Sequence, residues 1–142
     1  PQAMQESVDK LAEHFADCGA TKILAAEARG YIVGAPLACK LGMGFIPVRK
    51  PGKLPSKTVA VSYDLEYGQD TLEIHEDAIA KGEKVLIIDD LLATGGTAGG
   101  MIEMVGQLGG EVVGLGFIVE LTFLDGKGKL EGLPYHALVQ IS

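Results

Sequence analysis

Cysteine, positive charge and long apolar runs are all scarce in this sequence, and each scarcity excludes something. There are two cysteines, Cys18 and Cys39. Neither sits in a CxxC pair or beside histidines at ligand spacing, so a zinc site is not expected. Each is read as a small buried apolar residue, which fits a reducing compartment. Twelve Lys and Arg face nineteen Asp and Glu, giving a formal net charge of −7. No basic face of the size needed to hold nucleic acid is visible. An anionic ligand would have to be held by a few local cations, by backbone N–H groups or by a metal ion. The longest apolar run, VVGLGFIV, is far shorter than the roughly 20 residues that span a bilayer. No secretory signal, internal repeat or dividing linker is visible. With 142 residues, 47% of them hydrophobic, the expectation is one domain over residues 1–142 with a real core.

The periodicity alternates. Met4, Val8, Leu11, Ala12 and Phe15 recur at helical spacing and predict an amphipathic helix ending near Gly19. KILAA, Lys22 to Ala26, reads as a short buried strand, EARG as a turn, and Tyr31 to Leu41 as a helix stopped by Gly42. Pro36 is tolerable only near a first helical turn, which leaves the start of that helix open. Phe45 to Val48 is a second strand. RKPGKLP, Arg49 to Pro55, reads as a mobile surface loop. Thr58–Tyr63 and Thr71–His75 read as the strands of a hairpin joined by DLEYGQD, followed by a short helical turn from His75 to Ala80. Val85 to Ile88 has the fully apolar character of a strand buried on both faces. A helix from about Thr97 to Leu108, a strand from Val112 to Leu121 and a last strand from Tyr135 to Ile141 complete the pattern. The fold class is therefore α/β with a mostly parallel sheet flanked by helices.

The most informative stretch is VLIIDDLLATGGTAGG, Val85 to Gly100. In open α/β sheets, ligands bind at the carboxyl ends of the strands. Ala93, Thr94, Gly95, Gly96 and Thr97 have the chemistry of a phosphate cradle. Glycines admit an anion close to the backbone, and the next helix points free N–H groups at it. No lysine follows as in a Walker A loop, and the glycines lack dinucleotide-fingerprint spacing. Asp89 and Asp90 would repel a bare phosphate. They suit the vicinal hydroxyls of a sugar, with help from Mg²⁺. A ribose carrying a 5′-phosphate satisfies both halves of the motif.

This run resembles the phosphoribosyl-diphosphate motif of type I phosphoribosyltransferases. EARGYIVGAPLA, VRKPGKLP, SYDLEYG, LEIH and VELTFLDG are similar, in matching order, to the adenine phosphoribosyltransferase family over nearly all of Ile23 to Gln140. The resemblance implies the type I phosphoribosyltransferase fold, with a flexible β-hairpin catalytic loop. The implied reaction is adenine plus phosphoribosyl diphosphate giving AMP and pyrophosphate, with Mg²⁺ held mainly by substrate. It assigns Asp89 and Asp90 to the ribose, Ala93 through Thr97 to the 5′-phosphate, and Ala28, Arg29, Gly30 and Lys53 to the pyrophosphate. It makes Glu66 the residue that handles a purine proton, with Arg29 and Lys53 also catalytic. Tyr67 becomes a lid over the site and Leu121 a wall of the purine site. A non-proline cis peptide beside Arg29 is common in this fold.

Arg49, Lys50 and Lys57 are read as solvated, and Tyr63 as hairpin packing. His14 reads as a surface residue, and His75 and His136 as structural or exposed without a visible partner. The family also implies a homodimer with the arginine turn near the interface, and cytoplasmic purine salvage. Its N-terminal hood over the purine is expected to be absent from this sequence. That leaves an alternative: a non-catalytic module binding phosphoribosyl diphosphate or a nucleotide. The hairpin glutamate and the RKPGKLP loop favour the enzyme.

Overall fold

A computed structural model of the chain describes all residues except 66 and 67. The expected Glu66 and Tyr67 therefore lie outside the described residues. The elements run α1 (Gln2–Phe15), β1 (Lys22–Ala26), α2 (Arg29–Leu41), β2 (Gly44–Val48), β3 (Thr58–Leu65), β4 (Gly68–His75), β5 (Lys84–Leu92), α3 (Gly96–Gln107), β6 (Glu111–Leu121) and β7 (Tyr135–Ile141). Two short 3-10 turns, Thr122–Leu124 and Gly126–Lys129, connect β6 to β7.

Five strands form a sheet in the order β2-β1-β5-β6-β7, and every pairing in it is parallel. β5 is flanked on both sides, as its apolar run demands. Leu86 and Ile88 pack on the face covered by α1 and α2, with Leu11, Phe15, Val33 and Leu37. Val85 and Ile87 pack on the other face with Met101 and Met104 of α3 and Leu72 and Ile74 of β4. The strand's period of two thus feeds two cores from one sequence run.

The helices approach the sheet through glycines. A Cβ on Gly34 of α2 would lie 3.0 Å from the Ala25 Cβ and 3.1 Å from the Phe45 ring. A Cβ on Gly116 of β6 would lie 2.8 Å from both Ile88 and Phe15, which leaves α1 room to sit down on the sheet. α2 begins two residues earlier than its apolar period implies and carries Pro36 in its interior. Pro36 lies on the exposed side, so the Ile32 carbonyl it leaves without a helical partner faces water. Gly42 caps the helix with φ 68°, as expected.

Other boundaries shift for local reasons. The hairpin strands extend to Leu65 and Gly68, with antiparallel register from Thr58↔His75 to Leu65↔Gly68. A polar cross-strand pair supports this extension, Gln69 Nε2 to Asp64 Oδ1 at 3.1 Å, just beyond the Ser62 Oγ–Thr71 Oγ1 contact of 2.7 Å. β5 continues past Ile88 through both aspartates to Leu92, where it still pairs with Glu120. The segment after His75 forms turns and no helix. Cys39 is exposed and Cys18 half-buried, so the expectation of two buried cysteines fails. Cys39 sits on the same solvent side of α2 as Ala35, Pro36 and Lys40.

Candidate active site

The turn Glu27-Ala28-Arg29-Gly30 follows β1, and the segment from Asp89 to Ala98 spans the end of β5 and the start of α3. Because β1 and β5 are parallel neighbours, their carboxyl ends open on the same side. Together the two segments line a cleft of about 190 Å³. Arg29, Gly30, Asp89, Asp90 and the whole run from Ala93 to Thr97 border it. Ala28 is the N-cap of α2, immediately behind them. Neither α2 nor α3 has a side-chain cap or an acidic residue in its first turn. The opening N–H groups of two helices therefore remain available to an anion at one cleft.

The geometry of the small-residue loop is fixed from behind. Gly95 is the N-cap of α3, with φ 86°, a conformation that favours glycine. A Cβ there would lie 2.5 Å from the Gly126 carbonyl oxygen, and one on Gly126 would run into the Ala93 carbonyl. The β6–β7 connection thus forms a backing wall for Ala93–Thr97, for which the sequence offered no signal beyond a glycine in VELTFLDG. Gly30 plays the same part across the cleft: its Cβ would stand 3.1 Å from Asp89 Oδ1.

The two aspartates have different surroundings. Asp89 accepts the Asp90 backbone N–H at 2.8 Å. Burial, and then the Asp90 carboxylate beside it, push Asp89 up to about 7, against the opposing pulls of the Asp90 N–H and Arg29. Asp90 pairs with Arg29, Oδ2 to Nε at 3.2 Å. The Arg29 side chain is 72% exposed, so it keeps reach into the cleft. The Glu27–Ala28 peptide is cis, matching the expectation for this turn.

The other expected residues fall farther out. Lys53 is exposed on its loop and is not among the described residues lining the cleft. Leu121 closes β6, paired in register with Ile141. Arg49 is not simply solvated: its backbone exchanges hydrogen bonds with Glu73 at 3.0 and 2.7 Å, and its Nε lies 3.5 Å from Glu27 Oε1. Glu27 also accepts the Lys50 N–H at 2.6 Å, tying the arginine turn to the root of the RKPGKLP loop. Lys50 Nζ is 3.5 Å from Asp70, so it too has a partner. His136 likewise has one: its ring stacks on that of the exposed His14, with centroids 3.9 Å apart. Tyr63 is more than hairpin packing, since its hydroxyl accepts a hydrogen bond from Thr97 at 3.2 Å. Glu27 and Tyr63 were missed as site neighbours because their partners are distant in sequence. Their only local signals were the leading residue of EARG and the tyrosine of SYDLEYG.

Known proteins resemble this chain over nearly all of its length. Residues 2–135 match the family described as "Phosphoribosyl transferase domain". The chain is 62% identical to the adenine phosphoribosyltransferase of Maridesulfovibrio salexigens over 141 residues, 99% of this chain and 83% of that one. It superposes with a TM-score of 0.96 on adenine phosphoribosyltransferase from Thermoanaerobacter pseudethanolicus, at 50% identity, covering 99% of this chain and 81% of that one. The Saccharomyces cerevisiae enzyme, solved with adenine and D-2,5-dideoxy-2,5-imino-altritol 1,6-bisphosphate, gives a TM-score of 0.89 at 41% identity, covering 97% and 80%. The chain belongs to the phosphoribosyltransferase family, among its adenine phosphoribosyltransferases.

Proposed function

We propose that this chain, acting as one domain over residues 1–142, transfers the phosphoribosyl group of 5-phosphoribosyl 1-diphosphate to adenine, giving AMP and pyrophosphate. The observation that carries this reading is the single cleft at which an aspartate pair, an arginine turn and two uncapped helix starts meet. In the reaction the bond from the sugar C1′ to the pyrophosphate oxygen breaks, adenine N9 bonds to C1′, and the N9 proton leaves. Asp89 and Asp90 accept the ribose hydroxyls, and Ala93 to Thr97 hold the 5′-phosphate. Ala28, Arg29, Gly30 and Lys53 hold the pyrophosphate as its negative charge grows. Glu66 takes the purine proton, Tyr67 covers the site and Leu121 lies against the base.

Among the described residues no group of three or more His, Cys, Asp or Glu side chains could hold a metal. Two carboxylates at the cleft suit a hard cation that keeps its waters and is held mainly by substrate oxygens. Mg²⁺ bound in that way would neutralise charge on the departing pyrophosphate.

A homodimer with the Arg29 turn near its interface belongs to the same reading. It is supported by Ile32, 55% exposed in the first turn of α2. The reading places the reaction in the cytoplasm, in keeping with purine salvage. Among the described residues no helix is long and apolar enough to cross a membrane.

The test is to incubate the chain with adenine, phosphoribosyl diphosphate and Mg²⁺ and follow AMP, with guanine and hypoxanthine as controls. AMP from adenine alone is expected, abolished by EDTA and restored by Mg²⁺. Retained phosphoribosyl diphosphate binding with no AMP would favour the non-catalytic module, a reading that the 62% identity to a named enzyme disfavours.

A further inference from the structure

Among the described residues, the Tyr63 side chain links the hairpin to the loop Ala93–Thr97. Tyr63 of β3 lays its ring on α3, where Cβ atoms on Gly96 and Gly100 would stand 3.2 and 3.0 Å from its carbons. Glycines four apart on one helix face form a notch, and the ring fills it. Three polar contacts run outward from this point. The Thr97 hydroxyl donates to Tyr63 Oη at 3.2 Å. Tyr63 donates to Asp70 Oδ2 at 3.4 Å, and Asp70 Oδ2 lies 3.5 Å from Lys50 Nζ. Burial raises the Tyr63 pKa, so the phenol keeps its proton and remains a donor.

Thr97 has one hydroxyl proton to give. An anionic phosphate oxygen is a stronger acceptor than a neutral phenol. A phosphate in the loop therefore takes the Thr97 proton as its hydrogen bond. The Thr97 oxygen keeps its acceptor capacity, and the Tyr63 hydroxyl stands within reach of it. If Tyr63 turns its proton from Asp70 to Thr97, the donor chain reverses and runs from Tyr63 through Thr97 to the phosphate. Donors aligned in one direction polarise one another, which strengthens the last bond in the series. No covalent bond changes, since only the two hydroxyl rotors turn.

We propose that Tyr63 is a positioning residue through which occupancy of the phosphate loop is passed to the β3–β4 hairpin, by moving its hydroxyl hydrogen bond from Asp70 to Thr97. This rests on the assignment of Ala93–Thr97 to the 5′-phosphate. Tyr63 itself touches no reacting atom.

The experiment uses ribose 5-phosphate as the probe. Its binding is measured by calorimetry, and amide exchange across residues 58–75 is followed with and without it, beside AMP formation. Wild type is expected to bind the probe and to show altered exchange in the hairpin. Tyr63→Phe keeps the ring in its notch. It is expected to bind the probe roughly threefold to tenfold more weakly, the worth of one hydrogen bond, and to lose the hairpin response. Asp70→Asn weakens the competing acceptor and is expected to tighten binding only while Tyr63 is present. The same change in a Tyr63→Phe background should do nothing. If Tyr63→Phe binds the probe as wild type does with its hairpin response intact, whatever its melting temperature, the proposal is overturned. An Asp70→Asn gain that persists without the phenol overturns it as well, and this arm still decides if Tyr63→Phe fails to fold alone. Wild type that binds the probe yet makes no AMP would sink the enzyme reading and leave the relay standing. Wild type that does not bind the probe would remove the phosphate assignment and the relay with it.

Discussion

Asp89 and Arg29 show how one residue's surroundings set its use. Asp89 is held near neutral pH by burial and by Asp90. Its native pKa is raised above the unfolded value, so between about 4 and about 7 the folded chain binds more protons than the unfolded one. Stability from this group therefore falls as pH rises through that window. Asp89→Asn is expected to flatten that part of the melting-temperature profile. It should also lower AMP formation by about tenfold to a hundredfold, the cost of losing a charged hydrogen-bond partner. A profile that still declines across the window would contradict the assignment. Arg29 makes an exposed ion pair with Asp90, and such pairs are worth roughly 1 kcal/mol or less. Arg29→Gln should leave thermal unfolding almost unchanged while cutting kcat by about 10²-fold or more, as loss of a transition-state partner does. A parallel loss of stability and rate would place its role in the fold instead.

Elements are held at the site by close backbone approaches. Gly116 lets α1 settle on β6, with Phe15 and Ile88 on either side. Gly116→Val is expected to destabilise the chain by about 1–3 kcal/mol, the usual range for overpacking, with KM values little changed in a denaturation and kinetics pair. Gly126 acts differently, because its neighbour is the Ala93 carbonyl of the loop proposed to hold the 5′-phosphate. Gly126→Ala should raise KM for phosphoribosyl diphosphate roughly tenfold, consistent with a sub-ångström misplacement, and leave KM for adenine nearly unmoved. Equal effects on both substrates would show that the wall supports the whole cleft. β5 and α3 were legible as elements, because an apolar run and a helical stop are local signals. That Gly126 backs the loop was not, since thirty residues separate it from Gly96 and only the parallel β5–β6 pairing brings them together.

At the scale of the molecule, the proposed function has an acidic chain binding an acidic substrate. With a formal net charge of −7, the overall field opposes phosphoribosyl diphosphate, and attraction is confined to the cleft. Acid stability has a separate anchor at the amino ends of β1 and β5, opposite the cleft. Glu83 is lowered to about 2, first by the Ala80 N–H, then by Thr21 and Lys22. Its native pKa lies below the unfolded value, so its contribution is full above the ordinary carboxylate range and is lost as pH falls towards 2. Glu83→Gln is expected to remove part of the acid limb of a stability profile and leave the decline from Asp89 in place. Circular dichroism melts of the two variants across pH 3 to 8 would separate these limbs, and a single shared limb would refute the division.

What the sequence determined by itself was the order of elements, the apolar strand feeding two cores, and the run of aspartates, glycines and threonines that defines the cleft. Those features rest on period, turn chemistry and adjacent residues, which act within a few positions of one another. Tertiary structure decided the rest. It seated Tyr63 on Gly96 and Gly100, tied Arg49 and Lys50 to Glu27, stacked His14 on His136, and left Lys53 outside the cleft lining. These placements depend on which strands are neighbours and on how the β3–β4 hairpin and the helices pack against the sheet, contacts between residues far apart in sequence that no local pattern encodes.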